Sequence, residues 1–488
     1  MSVLSGLSPR LLWSLFEELT HIPRASGREG LAVRWLKEKG ALFGCEVEFQ
    51  QMGPDPEVGN VLLRKPATPG REHRPGVILQ AHIDMVCVRG NASTHDFEKD
   101  PLVLRMKGDD LYATDTTLGA DNGIGVCAAL AVLAAQDLEH GPLEVLITVD
   151  EESGLTGAQY LRPNWLRGAC LLNLDSEDEG ELTIGCAGGV DNIGTRSVSR
   201  VAPPAGARLV EITLEDMNGG HSGMAIDKAH CNALRLFVYL LRPWMRQFGL
   251  SLATFQGGKF RNAIPSRVTA TLWVGEDQVA ALEQAVAEAE GFWRQALKHH
   301  PKLRLHIAPA AVAVDSAVAD ADAGLFLDVL DALPHGVEGM SPEVPGLVET
   351  STNLATAEIH GDTARITLLT RSSVEVSKAF FVSRINAIFR MAGFEPQTEN
   401  DYVGWAPLAE SPLAKLCDAT HRALFGKPAK IVAVHAGLEC GVIGAIYPDL
   451  EMISFGPTIR SPHTPEEHVS VPTVATFWQL LTAVLARV

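Results

Sequence analysis

Apolar residues recur at helical spacing near the start of the chain and then give way to short, continuous apolar runs. SPRLLWSLFEELTHI and SGREGLAVRWLKEKGALFG both have helical periodicity, and Ser26 and Glu29 form a capping-box pattern that would start the second helix. An apolar helix is predicted at 122–136, NGIGVCAALAVLAAQ. Buried strands are predicted at the apolar runs 77–81, 143–149 and 171–175. Buried strands separated by helices indicate an α/β sheet covered on both faces.

The pattern changes after residue 185 from continuous to alternating. Apolar and polar residues alternate strictly along 210–215 and 267–274, which predicts an antiparallel sheet with one solvated face and a second domain. RVTATLWV and the helical stretch after it resemble ARITLLT and the helical stretch that follows it. This weak internal repeat indicates that the second domain could be duplicated.

Continuous apolar runs return near residue 402, at 430–434 and 451–455. The predicted fold class is α/β, with a mixed, mostly parallel sheet covered by helices and interrupted by an inserted α+β lid or dimerisation domain with an antiparallel sheet. The predicted boundaries are 1–185 and 402–488 for the catalytic domain and 186–401 for the inserted domain.

The composition and net charge of the chain argue against several classes of function. The chain of 488 residues has a formal net charge of -18, which argues against nucleic acid or anionic lipid as a partner, because phosphate binding needs clustered cations. No apolar run is long enough to span a bilayer, and the first residues lack a basic leader with an apolar core. A cytoplasmic enzyme without membrane contact is predicted. The eight cysteines form no CxxC pair, so most are predicted to be buried free thiols.

The strand VILQAHIDMV at 77–86 carries the first candidate chemistry. Alternate residues of an extended chain share a face, so His82 and Asp84 can reach each other or a common ion. A metal ligand oriented by its carboxylate partner fits this geometry. On these two residues alone, a structural histidine satisfied at a strand end is the favoured interpretation.

Further acids and a histidine follow other apolar runs or begin an apolar helix. Together they make the mixed donor set of a two-metal hydrolase, although unrelated caps and turns would have the same residue types. The stretches are AHID (His82, Asp84), GADNGIG (Asp121), VDEESG (Asp150, Glu151, Glu152), NLDSED (Asp175) and SPHTPEEH (His463).

These stretches belong to a longer series that closely resembles the aminoacyl-histidine dipeptidases, or Xaa-His dipeptidases. This family lies among the di-zinc metallopeptidases that include carboxypeptidase G and the carnosinases. The resemblance runs in order from about residue 10 to the C-terminus and shows no departure at a metal position. It rests on HIDMV, GADNGIG, DEESG, LDSEDEGELTIGCAGG, MNGGHSGMAI, RNAIPS, VETSTNLA, VHAGLECGVI and FGPTIRSPHTPEEHVSV.

The resemblance implies hydrolysis of dipeptides by a water molecule that two zinc ions activate, with cobalt or manganese as possible substitutes. His82 and Asp175 would bind one ion, Glu152 and His463 would bind the other, and Asp121 would bridge both.

Two further acids receive roles from the resemblance. Asp84 would orient His82 rather than bind metal, and Glu151 would be the general base. Adjacent acids in an extended segment point to opposite sides, but a turn at the strand end would let Glu152 bind metal while Glu151 faces the water.

The resemblance also implies substrate contacts. His221 lies on a glycine-rich turn, where a histidine is more often a solvent-facing polar residue, but the resemblance implies that it holds the substrate carbonyl oxygen or carboxylate. Arg371 would pair with the C-terminal carboxylate. Asn262 and Asn353 would fix the dipeptide. Glu439 could meet the substrate ammonium group or be a structural carboxylate. Relatives commonly pair through the lid, so a homodimer is a further expectation.

Other functions fit less well. GIGVCA from Gly123 matches a dinucleotide-binding turn but follows no convincing strand, GGHSGM misses the nucleophile-elbow pattern at its last position, and no HExxH helix exists. An N-acyl-amino-acid amidohydrolase with the same metal site remains the alternative, and a non-catalytic binding protein is disfavoured because the metal positions and Glu151 are all present.

Overall fold

The structure is a computed structural model that describes residues 3–228, 231–408 and 410–488, and the chain divides into two compact units. Unit 1 comprises Met1–Cys186, Trp405–Ala433 and Leu438–Val488, and unit 2 comprises Ala187–Gly404 and Val434–Gly437. The second unit is therefore an insertion into the sequence of the first.

Helices and strands alternate along the first part of unit 1. In chain order they are α1 (Arg10–Leu19), α2 (Gly30–Leu42), β1 (Glu46–Gln51), β2 (Gly59–Lys65), β3 (Val77–His82), β4 (Leu104–Lys107), β5 (Asp110–Ala113), α3 (Ala120–Ala134), β6 (Leu143–Thr148), α4 (Glu151–Gly154), α5 (Thr156–Gln159), β7 (Cys170–Asn173) and β8 (Glu181–Cys186).

Strands dominate the inserted stretch. Its elements are β9 (Gly188–Ser197), β10 (Arg200–Val201), β11 (Ala207–Glu215), β12 (Gly220–His221), α6 (Ala233–Gln247), β13 (Ser251–Gly257), β14 (Ala263–Ile264), β15 (Val268–Gly275), a 3-10 turn (Glu276–Gln278), α7 (Val279–Ala296), β16 (Arg304–Pro309), β17 (Ala317–Val318), α8 (Asp320–Ala332), β18 (Gly336–Met340), β19 (Val348–His360), β20 (Thr363–Ser372), α9 (Glu375–Met391) and β21 (Glu395–Tyr402).

The last stretch returns to alternating helices and strands. It contains α10 (Pro412–Phe425), β22 (Lys430–Val434), α11 (Glu439–Ile446), β23 (Glu451–Ser454), β24 (Ile459–Arg460), β25 (His468–Ser470) and α12 (Val471–Leu485).

The main sheet of unit 1 has the strand order β1-β2-β6-β3-β7-β23-β8-β22. Its central neighbours β6, β3, β7 and β23 run parallel, whereas β1, β2 and β8 pair antiparallel. Every residue of β3 and β6 is buried, and α3 is buried on almost all sides, as their continuous apolar sequences predict.

The large sheet of unit 2 has the strand order β16-β11-β15-β13-β19-β20-β9-β21, with β18 added beside β19. All its paired strands in the described residues run antiparallel. The two similar strand–helix stretches are β15 with α7 and β20 with α9, and both strands belong to this one sheet. The predicted α/β class, with a mixed sheet and an antiparallel second part, is confirmed.

The predicted capping box of α2 is wrong. The helix begins at Gly30, its cap residue Glu29 makes no side-chain cap bond, and the Ser26 hydroxyl donates to Asp84 Oδ2 at 2.8 Å. Glu29 Oε1 instead accepts from the backbone N–H groups of Gly27 and Asp150. A distant carboxylate therefore competes successfully for the serine.

Two simpler expectations concern the cysteines and the membrane. All eight cysteines are free, and five of them, Cys127, Cys170, Cys186, Cys417 and Cys440, are buried. Within the described ranges, no helix combines the length and the apolar character needed to cross a membrane.

Candidate metal centre

Parallel strands bring two of the predicted ligands together. His82 is the last residue of β3, and Asp175 lies two residues beyond the end of the neighbouring strand β7. Because parallel strands end at the same edge of a sheet, the two side chains converge, with His82 Nε2 at 3.3 Å from Asp175 Oδ1.

Asp121, in the first turn of α3, faces two groups of donors. Its Oδ1 lies 3.1 Å from His82 Nε2, while its Oδ2 lies 3.3 Å from Nε2 of His463. The same His463 nitrogen lies 2.9 Å from Glu152 Oε2. One carboxylate thus connects the His82 and Asp175 group to the Glu152 and His463 group.

The donor set fits divalent cations. Within each of three groups the ligand atoms lie within 4.8 Å of one another: His82 with Asp121 and Asp175, Asp121 with Glu152 and His463, and His82 with Glu151 and Glu152. Glu152 Oε1 is buried and has no hydrogen-bond partner in the described part of the chain, and a cation would satisfy it. Imidazole and carboxylate donors of this kind suit zinc and similar ions.

The electrostatics of the site favour positive charge. Burial acts to lower the pKa of His463, but the carboxylates of Asp121 and Glu152 outweigh burial and raise it to about 11. Burial alone would raise the pKa of Asp121, but the two histidines hold it below its usual value. The cluster therefore has the electrostatics of a cation-binding site rather than those of a neutral hydrogen-bond network.

Asp84 ties His82 to the turn that carries the two glutamates. Its Oδ1 lies 3.3 Å from His82 Nδ1 and accepts from the Glu151 N–H at 3.1 Å, while its Oδ2 accepts from the Glu152 N–H at 3.1 Å. The side chain is 0 % exposed. It faces the ring nitrogen of His82 that points away from Asp121 and Asp175.

The two adjacent glutamates lie on a one-turn helix, α4, that follows directly after β6. Asp150 enters it in the left-handed region, at φ 55°. Glu152 reaches His463, and burial raises the pKa of Glu151 well above its usual range, a shift that cations bound beside it would oppose by favouring the charged carboxylate. His82 opposes that shift, and the negative charge of Glu152 adds to it.

Glu439 lies at the start of α11 and is fully buried. Its Oε2 accepts from Gln80 Nε2 at 2.5 Å and from the Thr148 hydroxyl at 2.7 Å, and burial raises its pKa to about 7. Its Oε1 is buried and has no hydrogen-bond partner among the described residues, so both roles that the sequence left open stay predictions.

Unit 2 brings most of the predicted substrate-binding residues into one polar cluster. Asn262 is exposed, and its backbone carbonyl accepts from the N–H of Ser222, the residue after His221. Arg371 is 5 % exposed and donates from Nε to the Ser222 hydroxyl and from Nη1 to the Tyr402 hydroxyl.

The same cluster includes Asn353, which is buried and donates to the backbone carbonyls of Arg261 and Ala263. His221 Nδ1 accepts from the N–H groups of Gly223 and Met224. These contacts fix the orientation of both side chains within unit 2.

Sequence reasoning missed several buried polar residues of these regions. Glu467 and His435 lie within motifs of the family resemblance, so their motifs could have drawn attention to them, whereas Arg24 carried no signal. His435 bonds the Ser351 hydroxyl at 2.7 Å, and burial, with the positive charge of Arg371, lowers its pKa to about 3. This imidazole is therefore neutral at physiological pH.

Comparisons with known proteins show the family to which the chain is similar. Residues 78–487 match the sequence profile described as peptidase family M20/M25/M40. The cytosol non-specific dipeptidase of Escherichia coli (strain K12) is 42% identical over 493 residues, covering 100% of this chain and 99% of the relative.

Solved structures give the same result. Aminoacylhistidine dipeptidase from Vibrio alginolyticus superposes with a TM-score of 0.84 at 37% identity, covering 100% of this chain and 98% of that one. Aminopeptidase PepT from Bacillus cereus, at 16% identity and a TM-score of 0.57, covers 98% of both chains and shares the fold.

Proposed function

Because the chain belongs to peptidase family M20/M25/M40 and is a hydrolase of peptide bonds, we propose that it is a two-zinc dipeptidase acting on Xaa-His dipeptides, including β-alanyl-histidine. The names of two full-length relatives support dipeptides as the substrate class. One of those relatives is called an aminoacylhistidine dipeptidase, which supports histidine at the second position.

The position of Asp121 carries the proposal of two ions. Its Oδ1 and Oδ2 face different groups of nitrogen and oxygen donors, as a bridging carboxylate requires. We propose His82 and Asp175 as ligands of the first ion, Glu152 and His463 as ligands of the second, and Asp121 as the bridge. Cobalt or manganese would be accepted by the same donors.

Zinc ions bound there would supply Lewis acidity, which lowers the pKa of water and polarises the scissile carbonyl. Glu151 takes a proton from the attacking water while the water oxygen forms a bond to the carbonyl carbon. The peptide C–N bond then breaks, and Glu151 passes that proton to the departing amine nitrogen. Asp84 holds the His82 ring in one orientation throughout.

The proposed substrate contacts are those of unit 2. Arg371 would pair with the C-terminal carboxylate, His221 would hold a substrate oxygen, and Asn262 and Asn353 would position the dipeptide. The buried, hydrogen-bonded setting of Arg371 supports a fixed carboxylate partner.

The deciding experiment measures histidine release from a panel of Xaa-His dipeptides after loading with zinc, cobalt or manganese, each with a chelator control. We expect chelator-sensitive release of histidine, including from β-alanyl-histidine. Absence of peptidase activity with every metal would overturn the proposal. Release of histidine from N-acetyl-β-alanyl-histidine, but not from β-alanyl-histidine with its free amino group, would favour the N-acyl-amino-acid amidohydrolase instead.

Two further proposals concern the setting of the enzyme. The name of the Escherichia coli relative supports a cytoplasmic location. Pairing of two copies through unit 2 stays a prediction, and light scattering of the purified chain would test it.

A further inference from the structure

The carboxylate of Glu467 holds the turn that presents Asp121. Glu467 is 2% exposed. Its Oε2 accepts from the N–H groups of Leu118 at 2.8 Å and Gly119 at 3.0 Å. Its Oε1 accepts from those of Ala120 at 2.8 Å and Asp121 at 3.4 Å. Four consecutive amides are thus bound by one side chain that the proposed mechanism does not use.

A second buried side chain holds the same turn from its carbonyl side. Arg24 is 1% exposed and donates to the Gly119 carbonyl at 2.6 Å and to those of Ile83 and Asp84 at 2.8 and 3.1 Å. Gly119 has φ 66°, and a Cβ there would meet Arg24 and lie 2.8 Å from Met85 Sδ. The backbone before Asp121 is therefore fixed on both sides.

Glu467 also lies four residues after His463, and its N–H donates to the Thr464 carbonyl at 3.0 Å. Two ligands of the second ion are therefore connected to Glu467. The backbone N–H of Asp121 donates to the Glu467 side chain, and His463 lies on the short loop that carries Glu467. His82 and Asp175, in contrast, are placed by the ends of β3 and β7.

We infer that Glu467 is a positioning residue that fixes Asp121 as a bridge and sets the affinity of the second ion, the one held by Asp121, Glu152 and His463. This inference rests on the proposed two-metal function. Without Glu467, four backbone amides would lose their acceptor and the His463 loop would lose its anchor. The second ion would then lose the placement of two ligands, Asp121 and His463, whereas the first ion would lose only that of the shared Asp121, because His82 and Asp175 lie at strand ends.

The test is a zinc titration of metal-free protein against a chromogenic chelator, comparing the wild type, Glu467→Gln and the neighbouring Glu466→Gln. Glu466 is exposed and serves as the matched control. We expect wild type and Glu466→Gln to bind two ions. In Glu467→Gln the second ion should bind about 10- to 100-fold more weakly, with a smaller loss for the first ion, which shares only Asp121 with it.

The affinity of the first ion reports that unit 1 is folded, so a selective loss of the second ion cannot be general unfolding. Should Glu467→Gln fail to fold, Glu467→Asp, which keeps the charge, decides the matter. Its losses should be smaller and should again be larger for the second ion than for the first. Two ions bound with wild-type affinities, or an equal loss of both in the Asp variant, would overturn the inference and leave the proposed function standing. A wild type that binds no zinc would overturn both.

Discussion

At the scale of single residues, charge at Asp84 serves two purposes at once. Its carboxylate faces His82 Nδ1 and accepts from the backbone N–H groups of Glu151 and Glu152. An amide of the same shape can accept with its oxygen only, so its NH2 group would face an N–H donor.

We therefore expect Asp84→Asn to lose about 10- to 100-fold in kcat/KM while keeping most of its zinc. Dipeptide hydrolysis and metal content measured on the same sample would check this, with the exposed Asp137→Asn as control. Loss of zinc in proportion to activity would show that Asp84 acts mainly on metal binding.

Glu151 is predicted to act on a proton rather than on metal. Glu151→Gln removes the base but keeps the shape of the side chain, so we expect both ions to remain bound and turnover to fall by about 10²- to 10⁴-fold. Metal analysis alongside single-turnover assays would test it. Substantial activity in the variant would remove Glu151 from the role of base.

Burial raises the pKa of Glu29 to about 7, above its usual value of 4.5, although hydrogen bonds from three backbone N–H groups, those of Glu29 itself, Gly27 and Asp150, oppose the shift. The folded state binds this proton more tightly than the unfolded state does. The stabilisation of the folded state that comes from protonated Glu29 is therefore present below pH 4.5 and is lost as pH rises toward 7.

Each tenfold difference in proton affinity between the folded and unfolded states corresponds to about 1.4 kcal/mol in the free energy of unfolding. Glu29→Gln should remove this component, because its amide oxygen can still accept from Gly27 or Asp150. Urea unfolding of chelated protein between about pH 4.5 and pH 7.5 would show it as a shallower pH dependence in the variant. Parallel curves for the two proteins would contradict the assignment.

At the scale of elements, α3 packs against its surroundings more closely than its sequence alone shows. A Cβ at Gly125 would lie 2.6 Å from the Leu174 carbonyl oxygen and would also meet Asn122 Oδ1. At Gly291 in α7, by contrast, an added Cβ would have no atom of the described residues within 4 Å, apart from the neighbouring residues and backbone of its own helix.

The same substitution should therefore have opposite effects in the two helices. Gly291→Ala should stabilise the protein by about 0.5–1 kcal/mol through helix propensity, whereas Gly125→Ala should destabilise it by about 1–3 kcal/mol through overpacking. Thermal and urea unfolding would measure both. Stability changes of the same sign in the two variants would refute the packing argument.

At the scale of the whole molecule, the proposed metal ligands all belong to unit 1. Ligands that bind only the folded state stabilise it by mass action, so ion removal should loosen the elements that hold the site. After chelation we expect faster hydrogen exchange in β3, β7 and the start of α3, with β11 and β15 of unit 2 unchanged. Equal changes in both units would contradict a metal site confined to unit 1.

Much of the fold followed from local pattern. The continuous apolar runs predicted β3 and β6, and the alternating runs predicted β11 and β15, because burial on two faces or on one leaves a direct trace in sequence. The α2 cap did not follow, because Ser26 bonds a carboxylate 58 residues away.

The sequence by itself determined which residue types stand at the ends of the central strands and, through its resemblance to a known family, the chemistry they could support. Only the tertiary structure decided how those residues meet. It directs the two oxygens of Asp121 to different partners, buries Glu439, and brings Glu467 to amides almost 350 residues earlier in the chain. Such contacts depend on long-range packing, and residue order alone does not specify the distances between side chains far apart in the chain.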